Sequence, residues 1–179
     1  MDAYTDKIKE IAKKILSDGS VDTVIGFSKG SLGYMSEPFM AKTEAAADKL
    51  VFDCNCRMNL VNYVTGRTDK IGIVVKGCDS RNLVTHIIEN KIKRDQLYII
   101  GVPCTGLADK DALLEAAEGE IDSVEDDGET VTVKGEGFEK KLSKNDILQS
   151  NCKTCIKRTP VIYDELAVEE VPELEIENM

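Results

Sequence analysis

Four of the six cysteines in this chain are spaced in a way that suits a shared site for thiol ligands. Two of them end similar apolar phrases, residues 70–78 (KIGIVVKGC) and 96–104 (QLYIIGVPC). Two more form a Cys-x-x-Cys pair at Cys152 and Cys155. Four thiolates are the ligand set of a [4Fe-4S] cluster or of a tetrahedral zinc ion. If the four cysteines meet, the protein carries a metal centre or transfers electrons.

Each of the two phrases has the pattern of a parallel strand that is buried on both faces. The apolar run is short, rich in β-branched residues and bounded by charged residues and glycine. Residues that start helices follow each strand. Asp79 or Ser80 can cap a helix over residues 81–90, and Asp109 can cap a helix over residues 110–117.

Cys78 and Cys104 are therefore predicted to lie in strand-to-helix turns at the carboxyl edge of a parallel sheet. Neighbouring strands lie roughly 5 Å apart, so both thiols can reach a common metal. Helix N-termini at both cysteines are predicted to add partial positive charge to the site. Basic side chains near the cysteines would further stabilise an anionic cluster; the candidates are Lys76, Lys153, Lys157 and Arg158.

The remaining patterns predict an α/β fold with a mostly parallel sheet flanked by helices. A small acidic β-hairpin subdomain, residues 120–142, is inserted before the Cys-x-x-Cys pair, with an Asp-Gly turn at Asp127 and Gly128. We predict a single domain over residues 1–170 and an acidic tail over 171–179. Shorter elements are predicted as a helix over 1–16, strands over 21–27, 38–43 and 51–53, a helix over 44–50, a helical stretch over 57–66 and a third strand over 138–142.

Composition excludes several classes of protein. The chain of 179 residues is 42% hydrophobic, which suffices for a real core without disulfide staples, so six cysteines indicate metal or redox chemistry. A net charge of -10 argues against a nucleic-acid binder. The sequence shows neither a secretion leader nor a run of about 18 apolar residues, so we expect a cytoplasmic protein without a membrane span.

The other cysteines leave alternatives open. Cys54 and Cys56 form a Cys-x-Cys pair whose members can supply a ligand, line a cofactor pocket or be buried small side chains. One alternative function is a flavin-dependent oxidoreductase with a pocket around Phe52, Cys54, Asn55 and Asn59. Another is a zinc-stabilised interaction module without redox activity.

The order of several phrases resembles the beta subunit family of coenzyme F420 hydrogenases and dehydrogenases. The similarity is strongest to members associated with heterodisulfide-reductase-like and formate- or hydrogen-oxidising complexes of anaerobes. It covers nearly the whole chain, and the KGCDSR and Cys-x-x-Cys phrases are its most specific parts. The phrases that carry it are residues 22–26 (DTVIG), 38–41 (PFMA), 52–53 (FD), 77–81 (GCDSR), 101–104 (GVPC) and 152–155 (CKTC).

The resemblance implies one [4Fe-4S] cluster on Cys78, Cys104, Cys152 and Cys155, with a flavin, FAD or FMN, beside it. It also marks Asp79, Ser80 and Arg81 as cofactor-binding residues. The glycine-rich flavin loop of the family is not evident in residues 1–19. We therefore expect an iron-sulfur electron-transfer subunit without catalytic residues of its own. Its expected partners are ferredoxin-like, flavoprotein, hydrogenase or formate dehydrogenase subunits.

Overall fold

The computed structural model describes residues 2–169, so the tail predicted at 171–179 lies outside the described residues. Five helices form in this range: α1 (Asp2–Ser17), α2 (Glu44–Ala47), α3 (Gly77–Ile88), α4 (Lys110–Ala116) and α5 (Ser150–Lys153). The strands are β1 (Thr23–Lys29), β2 (Ser36–Ala41), β3 (Ile71–Lys76), β4 (Leu97–Val102), β5 (Ile121–Asp126), β6 (Thr130–Gly135), β7 (Phe138–Ser143) and β8 (Glu165–Leu166). Among the described residues, no helix has the length and apolar character needed to cross a membrane.

The main sheet has five strands in the order β2-β1-β3-β4-β8. Strand β2 is antiparallel to β1, whereas β1, β3, β4 and β8 run parallel. Helix α1 packs on this sheet through an apolar stripe at helical spacing, as predicted. The fully buried members of the stripe are Ile8, Ile11, Ala12 and Ile15. The predicted α/β fold with a mainly parallel sheet is confirmed.

Strands β3 and β4 are direct neighbours, and they end level with each other. Lys76 at the end of β3 is paired with Val102 at the end of β4. The sequence prediction that two cysteine-ended strands lie side by side in a parallel sheet is therefore correct. The chain leaves both strands at the same carboxyl edge, which is where α/β sheets place their sites.

The predicted β insertion is a separate antiparallel sheet in the order β5-β6-β7. The turn between β5 and β6 contains Asp127 and Gly128, and Gly128 has a φ of 108°, in the left-handed region that favours glycine. Val131 and Val133 of β6 are fully buried and pack in one cluster with Leu113 of α4. This sheet thus has its own apolar core, next to the main one.

The structure corrects the predicted helix starts beside the two cysteines. Helix α3 begins at Gly77 with Lys76 as its N-cap, so neither Asp79 nor Ser80 caps it, and Cys78 lies in its first turn. The reason is that a carboxylate oxygen of Asp79 accepts a hydrogen bond from the backbone N–H of Lys76 at 3.3 Å, which closes the turn earlier.

The second helix start is as predicted, but its relation to the cysteine is not. Asp109 caps α4 by accepting hydrogen bonds from the backbone N–H groups of Asp111 and Ala112. Cys104 precedes this cap by five residues and lies in a loop. The expectation of a helix N-terminus directly at Cys104 is therefore wrong.

Three short elements also differ from their predictions. The helix predicted over 44–50 is the single turn α2. The strand predicted over 51–53 is one isolated bridge between Val51 and Phe27. The helical stretch predicted over 57–66 is a 3-10 helix, Leu60–Tyr63, capped by the side chain of Asn59.

A buried ion pair joins the small sheet to the loop that follows Cys104. The ammonium of Lys144 lies 2.7 Å from a carboxylate oxygen of Asp126 and donates a hydrogen bond of 2.8 Å to the hydroxyl of Thr105. The two charged side chains are 3% and 0% exposed. Because Thr105 directly follows Cys104, the small sheet fixes the position of this loop.

We expect Lys144→Met to lower the free energy of unfolding by about 3 kcal/mol or more, because it leaves the Asp126 carboxylate buried without its cation. Urea denaturation measures the change. Lys140→Met is the matched control, since Lys140 lies on β7 of the same sheet and forms an exposed ion pair with Glu118. This substitution should lower the free energy of unfolding by less than about 1 kcal/mol. Equal effects of the two substitutions on the free energy of unfolding would contradict a stabilising buried ion pair between Lys144 and Asp126.

Candidate functional site

The two cysteines at the strand ends and the two of the Cys-x-x-Cys pair line one cavity. Cys78, Cys104, Cys152 and Cys155 all contribute to its wall, although they come from three separate segments of the chain. The cavity encloses about 50 Å³. That is far below the roughly 300 Å³ or more of an organic ligand site, so this space suits a compact group. No histidine or carboxylate belongs to its lining.

Cys78 and Cys104 are held by the carboxyl edge of the main sheet. Cys78 is exposed, in the first turn of α3. Cys104 follows β4, and its sulfur accepts a hydrogen bond of 3.4 Å from the backbone N–H of Gly106. Gly106 has a φ of 103°, which a residue with a side chain rarely adopts, so the turn depends on glycine.

Cys152 and Cys155 sit on and just after the single turn α5. The backbone N–H of Cys155 donates a hydrogen bond of 3.3 Å to the carbonyl of Cys152, which keeps the pair in one compact turn. The backbone N–H groups of both Cys152 and Lys153 donate to the carbonyl of Gln149. The pair is therefore part of a local helical turn.

The chain after Cys155, residues 156–167, is referred to here as the return segment because it leads back to the main sheet. Its end pairs with β4: Asp164 donates its backbone N–H to the carbonyl of Ile99 at 2.9 Å, and Ala167 donates to Gly101 at 2.8 Å. The carboxylate of Asp164 also accepts the backbone N–H of Ile99 at 2.7 Å. These bonds fix the return segment against the edge of the sheet.

The start of the return segment lies directly on Gly77. A Cβ atom at Gly77 would be 2.7 Å from the carbonyl oxygen of Lys157 and 3.0 Å from that of Arg158, closer than real Cβ atoms approach backbone. The same Arg158 carbonyl accepts the backbone N–H of Cys104 at 3.1 Å. Glycine at position 77 therefore lets the segment that follows the Cys-x-x-Cys pair reach both sheet cysteines.

Two residues that the resemblance marked for cofactor binding make hydrogen bonds to the return segment. The hydroxyl of Ser80 donates to the Gly77 carbonyl at 2.8 Å and accepts the backbone N–H of Val161 at 3.0 Å. Arg81 donates to the carbonyl of Lys157 at 3.2 Å. The geometry gives both side chains a positioning role beside the cavity.

A buried cation lies at the wall of the cavity. Lys76 is 2% exposed, and its ammonium lies 2.7 Å from the carboxylate of Asp79, 3.0 Å from the carbonyl of Met58 and 5.1 Å from the centre of the Phe27 ring. Burial would lower the pKa of Lys76, but the charge of Asp79 and its hydrogen bond outweigh burial and raise that pKa. The cavity therefore faces a permanent positive charge.

The surroundings of Cys78 and Cys104 favour the protonated form of both thiols. Burial raises the pKa of Cys104 to about 11, and burial followed by the Asp79 charge raises the pKa of Cys78. A thiolate at Cys152 raises both values further, because the sulfurs are near enough to repel one another once ionised. Reactive cysteines need lowered pKa values, so Cys78 and Cys104 do not have the character of reactive thiols.

Among residues 2–169, no three or more His, Cys, Asp or Glu side chains form a group that could hold a metal ion. A tetrahedral zinc ion needs four sulfurs about 2.3 Å from one point. The four cysteines line one cavity in this structure, but they do not form such a group.

The residues predicted for a flavin pocket lie outside this cavity. Phe52 is 1% exposed and stacks on Tyr4 with ring centres 5.9 Å apart. Cys54 is fully buried in the core of the small sheet. Asn55 accepts a hydrogen bond of 2.9 Å from Arg57, and Asn59 caps the 3-10 helix. Each of the four is engaged in contacts within the protein.

The sequence did not indicate a role for Arg57, which also lines the cavity. Its guanidinium donates to the carbonyls of Ala108 at 2.6 Å and Tyr34 at 2.9 Å and to the side chain of Asn55. It therefore joins three loops around the site. No spacing in the sequence marks this arginine. The repeated glycine in the two cysteine phrases, at Gly77 and Gly101, was a visible signal of close backbone approach.

Comparisons with known proteins agree with this fold. No family model matches the chain. It is 23% identical over 170 residues to the F420-dependent formate dehydrogenase 1 subunit beta of Methanococcus maripaludis, a match that covers 86% of this chain and 44% of that protein. It superposes on a chain of the F420-reducing [NiFe] hydrogenase complex from Methanosarcina barkeri with a TM-score of 0.66 and 15% identity, covering 84% of this chain and 58% of that one.

The chain is thus similar to the β-type subunits of F420 hydrogenases and dehydrogenases, and the resemblance predicted from the sequence is confirmed. It spans about half the length of the proteins that it matches.

Gly77→Ala tests the close approach at the site. We expect it to lower the free energy of unfolding by about 1–3 kcal/mol, because the new Cβ displaces the return segment, although alanine favours a helix more than glycine does. Urea denaturation gives the value. Gly119→Ala is the control, since a Cβ there meets only Phe138 at 3.8 Å. A Gly77→Ala protein as stable as the unaltered chain would contradict the proposed contact.

The buried thiol of Cys54 predicts an alkaline loss of stability. Burial and the charge of Asp126 raise its pKa from 9.0 to about 12. Between these values the folded thiol keeps a proton that the unfolded thiol has lost, so the free energy of unfolding should fall as pH rises above 9.0. Denaturation of the reduced protein at several alkaline pH values measures the slope. Cys54→Ala should make that slope shallower. An unchanged slope would argue against a raised pKa of the Cys54 thiol in the folded protein.

Proposed function

We propose that this chain is an electron-transfer subunit that holds one [4Fe-4S] cluster. The ligands would be Cys78, Cys104, Cys152 and Cys155. The observation that carries the proposal is that four thiols from three distant segments line one small cavity. The lining contains four thiols and neither carboxylate nor histidine, and four thiols are the donor set of such a cluster.

The names of the relatives support a place in a larger redox complex. One relative is named as the beta subunit of an F420-dependent formate dehydrogenase, and the other belongs to an F420-reducing [NiFe] hydrogenase complex. We assign the cluster to this chain and leave the substrate reaction to the partner subunits. In this proposal residues 1–170 act as one iron-sulfur domain.

A cluster of this kind takes up and releases single electrons when it is bound. The chain's own residues would set how easily that happens. The fixed charge of Lys76 faces the cavity, and the backbone N–H of Gly106 donates to the sulfur of Cys104. Positive charge and hydrogen bonds to the sulfurs stabilise the more negative, reduced state, so both features raise the reduction potential.

The raised thiol pKa values affect how the site would bind iron. Ligation requires thiolates, so binding of iron must release the protons that Cys78 and Cys104 hold. The neighbouring cation of Lys76 lowers the cost of the resulting negative charge, since it attracts the thiolates of both residues. The site is therefore arranged for metal-bound thiolates rather than for free ones.

Anaerobic purification and reconstitution with iron and sulfide test this function. We expect a brown protein with about four irons and four sulfides per chain. Cys152→Ala or Cys155→Ala should abolish the colour and the bound iron, because each removes one of four ligands. Iron and sulfide analysis, together with the visible spectrum, measures the result.

Cys54→Ala is the matched control, since it removes a thiol that lies outside the cavity and should keep the full iron content. Colourless, iron-free protein after reconstitution would refute the proposal. Stoichiometric zinc without iron would favour the zinc-stabilised module, and a flavin released on heating would favour the flavin-dependent alternative. Loss of iron in Cys54→Ala would overturn the ligand assignment.

A further inference from the structure

An open groove lies directly outside the cysteine cavity. Cys78, Cys152 and Cys155 line both spaces, so the groove is the outer face of the proposed cluster site. It encloses about 410 Å³ and also includes Arg81, Ile156 and Lys157. Since Cys78 is exposed, a group held in the cavity would come within short reach of the protein surface.

The charge around this groove is opposite to that of the whole chain. The chain has 33 acidic and 23 basic residues and a net charge of -10. No acidic residue lines the groove or the cavity, whereas Arg81, Lys157 and Arg158 do. Lys153, which lies between the two cysteines of the Cys-x-x-Cys pair, is exposed beside them. The excess negative charge therefore lies elsewhere on the chain.

Exposed apolar side chains stand next to the basic ones. Ile88 is 74% exposed and follows Arg81 by two turns of α3, on the same helix face. Val161 is 53% exposed, and its backbone is bonded to Ser80 in the first turns of that helix. Exposed apolar side chains on the same elements as exposed cations are a common feature of surfaces that bind another protein.

From these features we propose that the cysteine groove is the docking surface for a small redox protein with a carboxylate-rich face. This inference rests on the proposed cluster function. Upon docking, one electron would leave the partner's reduced centre, which becomes oxidised, and enter the group held by the four cysteines, which becomes reduced. No bond or proton changes place in that step.

The arrangement of the cations favours a protein over a small anion. Arg81, Lys153 and Lys157 are exposed and come from two separate segments, α3 and the chain around the Cys-x-x-Cys pair. A small anion is held by buried, convergent donors, whereas exposed charges spread over a face steer the approach of an oppositely charged protein. Such steering weakens as salt is added.

The test uses an acidic [2Fe-2S] ferredoxin as the probe and the double charge reversal Lys153→Glu/Lys157→Glu. Binding is titrated at low ionic strength with the chain as purified, which does not require a bound cluster. We expect the reversal to weaken binding about tenfold or more, and added salt to weaken binding of the unaltered chain. The control Lys49→Glu/Lys70→Glu makes the same charge change at exposed positions outside the groove and should stay within about twofold.

The iron content of each variant is measured in parallel, so that the two proposals fail separately. Salt-sensitive binding that is lost on reversal, with iron retained, supports the docking surface. Binding that is absent from the unaltered chain, or unaffected by the reversal, overturns the docking proposal while the cluster stands. If the chain binds the ferredoxin but takes up no iron, the proposed cluster is refuted. The groove would then be only a surface that binds acidic proteins. Displacement of the ferredoxin by millimolar phosphate at constant ionic strength would overturn the proposal in favour of a small-anion site.

Discussion

The close approach of the return segment to Gly77 is the constraint on which the site depends. Carbonyl groups of Lys157 and Arg158 occupy the space that a side chain at position 77 would need. From that position Arg158 bonds to the backbone of Cys104, and Ser80 bonds to Val161. These contacts therefore bring the Cys-x-x-Cys pair to the sheet edge.

Charge is distributed in layers around this contact. The innermost layer is the buried ion pair of Lys76 and Asp79. Its cation, Lys76, lines the cavity, and this cation neutralises the Asp79 carboxylate. Next are the thiols, with pKa values raised at Cys78 and Cys104. Outside lies a basic rim on an otherwise acidic chain. The cations of the inner and outer layers favour the negative charge that thiolates and a cluster would introduce at the centre, whereas burial of the thiols opposes that charge.

Local signals in the sequence predicted the parts of the fold that depend on local physics. The apolar stripe of α1, the two adjacent parallel strands, the Asp109 cap and the Asp-Gly turn follow from side-chain periodicity and backbone preference. The first turn of α3 was misread because a tertiary feature, the burial of Lys76 with Asp79, decides where that helix begins. Strand β8 has only two residues, Glu165 and Leu166, and its pairing with β4 has no local signature. For the same reason Lys144 and Arg57 could not be recognised as residues that join distant loops.

The order of these segments along the chain also governs how the protein is made. Cys78 and Cys104 emerge from the ribosome well before Cys152 and Cys155, and β8 emerges later still. Until then β4 presents an open apolar edge, Leu97–Val102, of the kind that pairs with other chains. The return segment thus has two roles, since its arrival holds the Cys-x-x-Cys pair at the sheet edge and covers part of β4. A nascent chain interrupted before residue 165 would lack both contacts, so the proposed cluster would be inserted after this segment has been made.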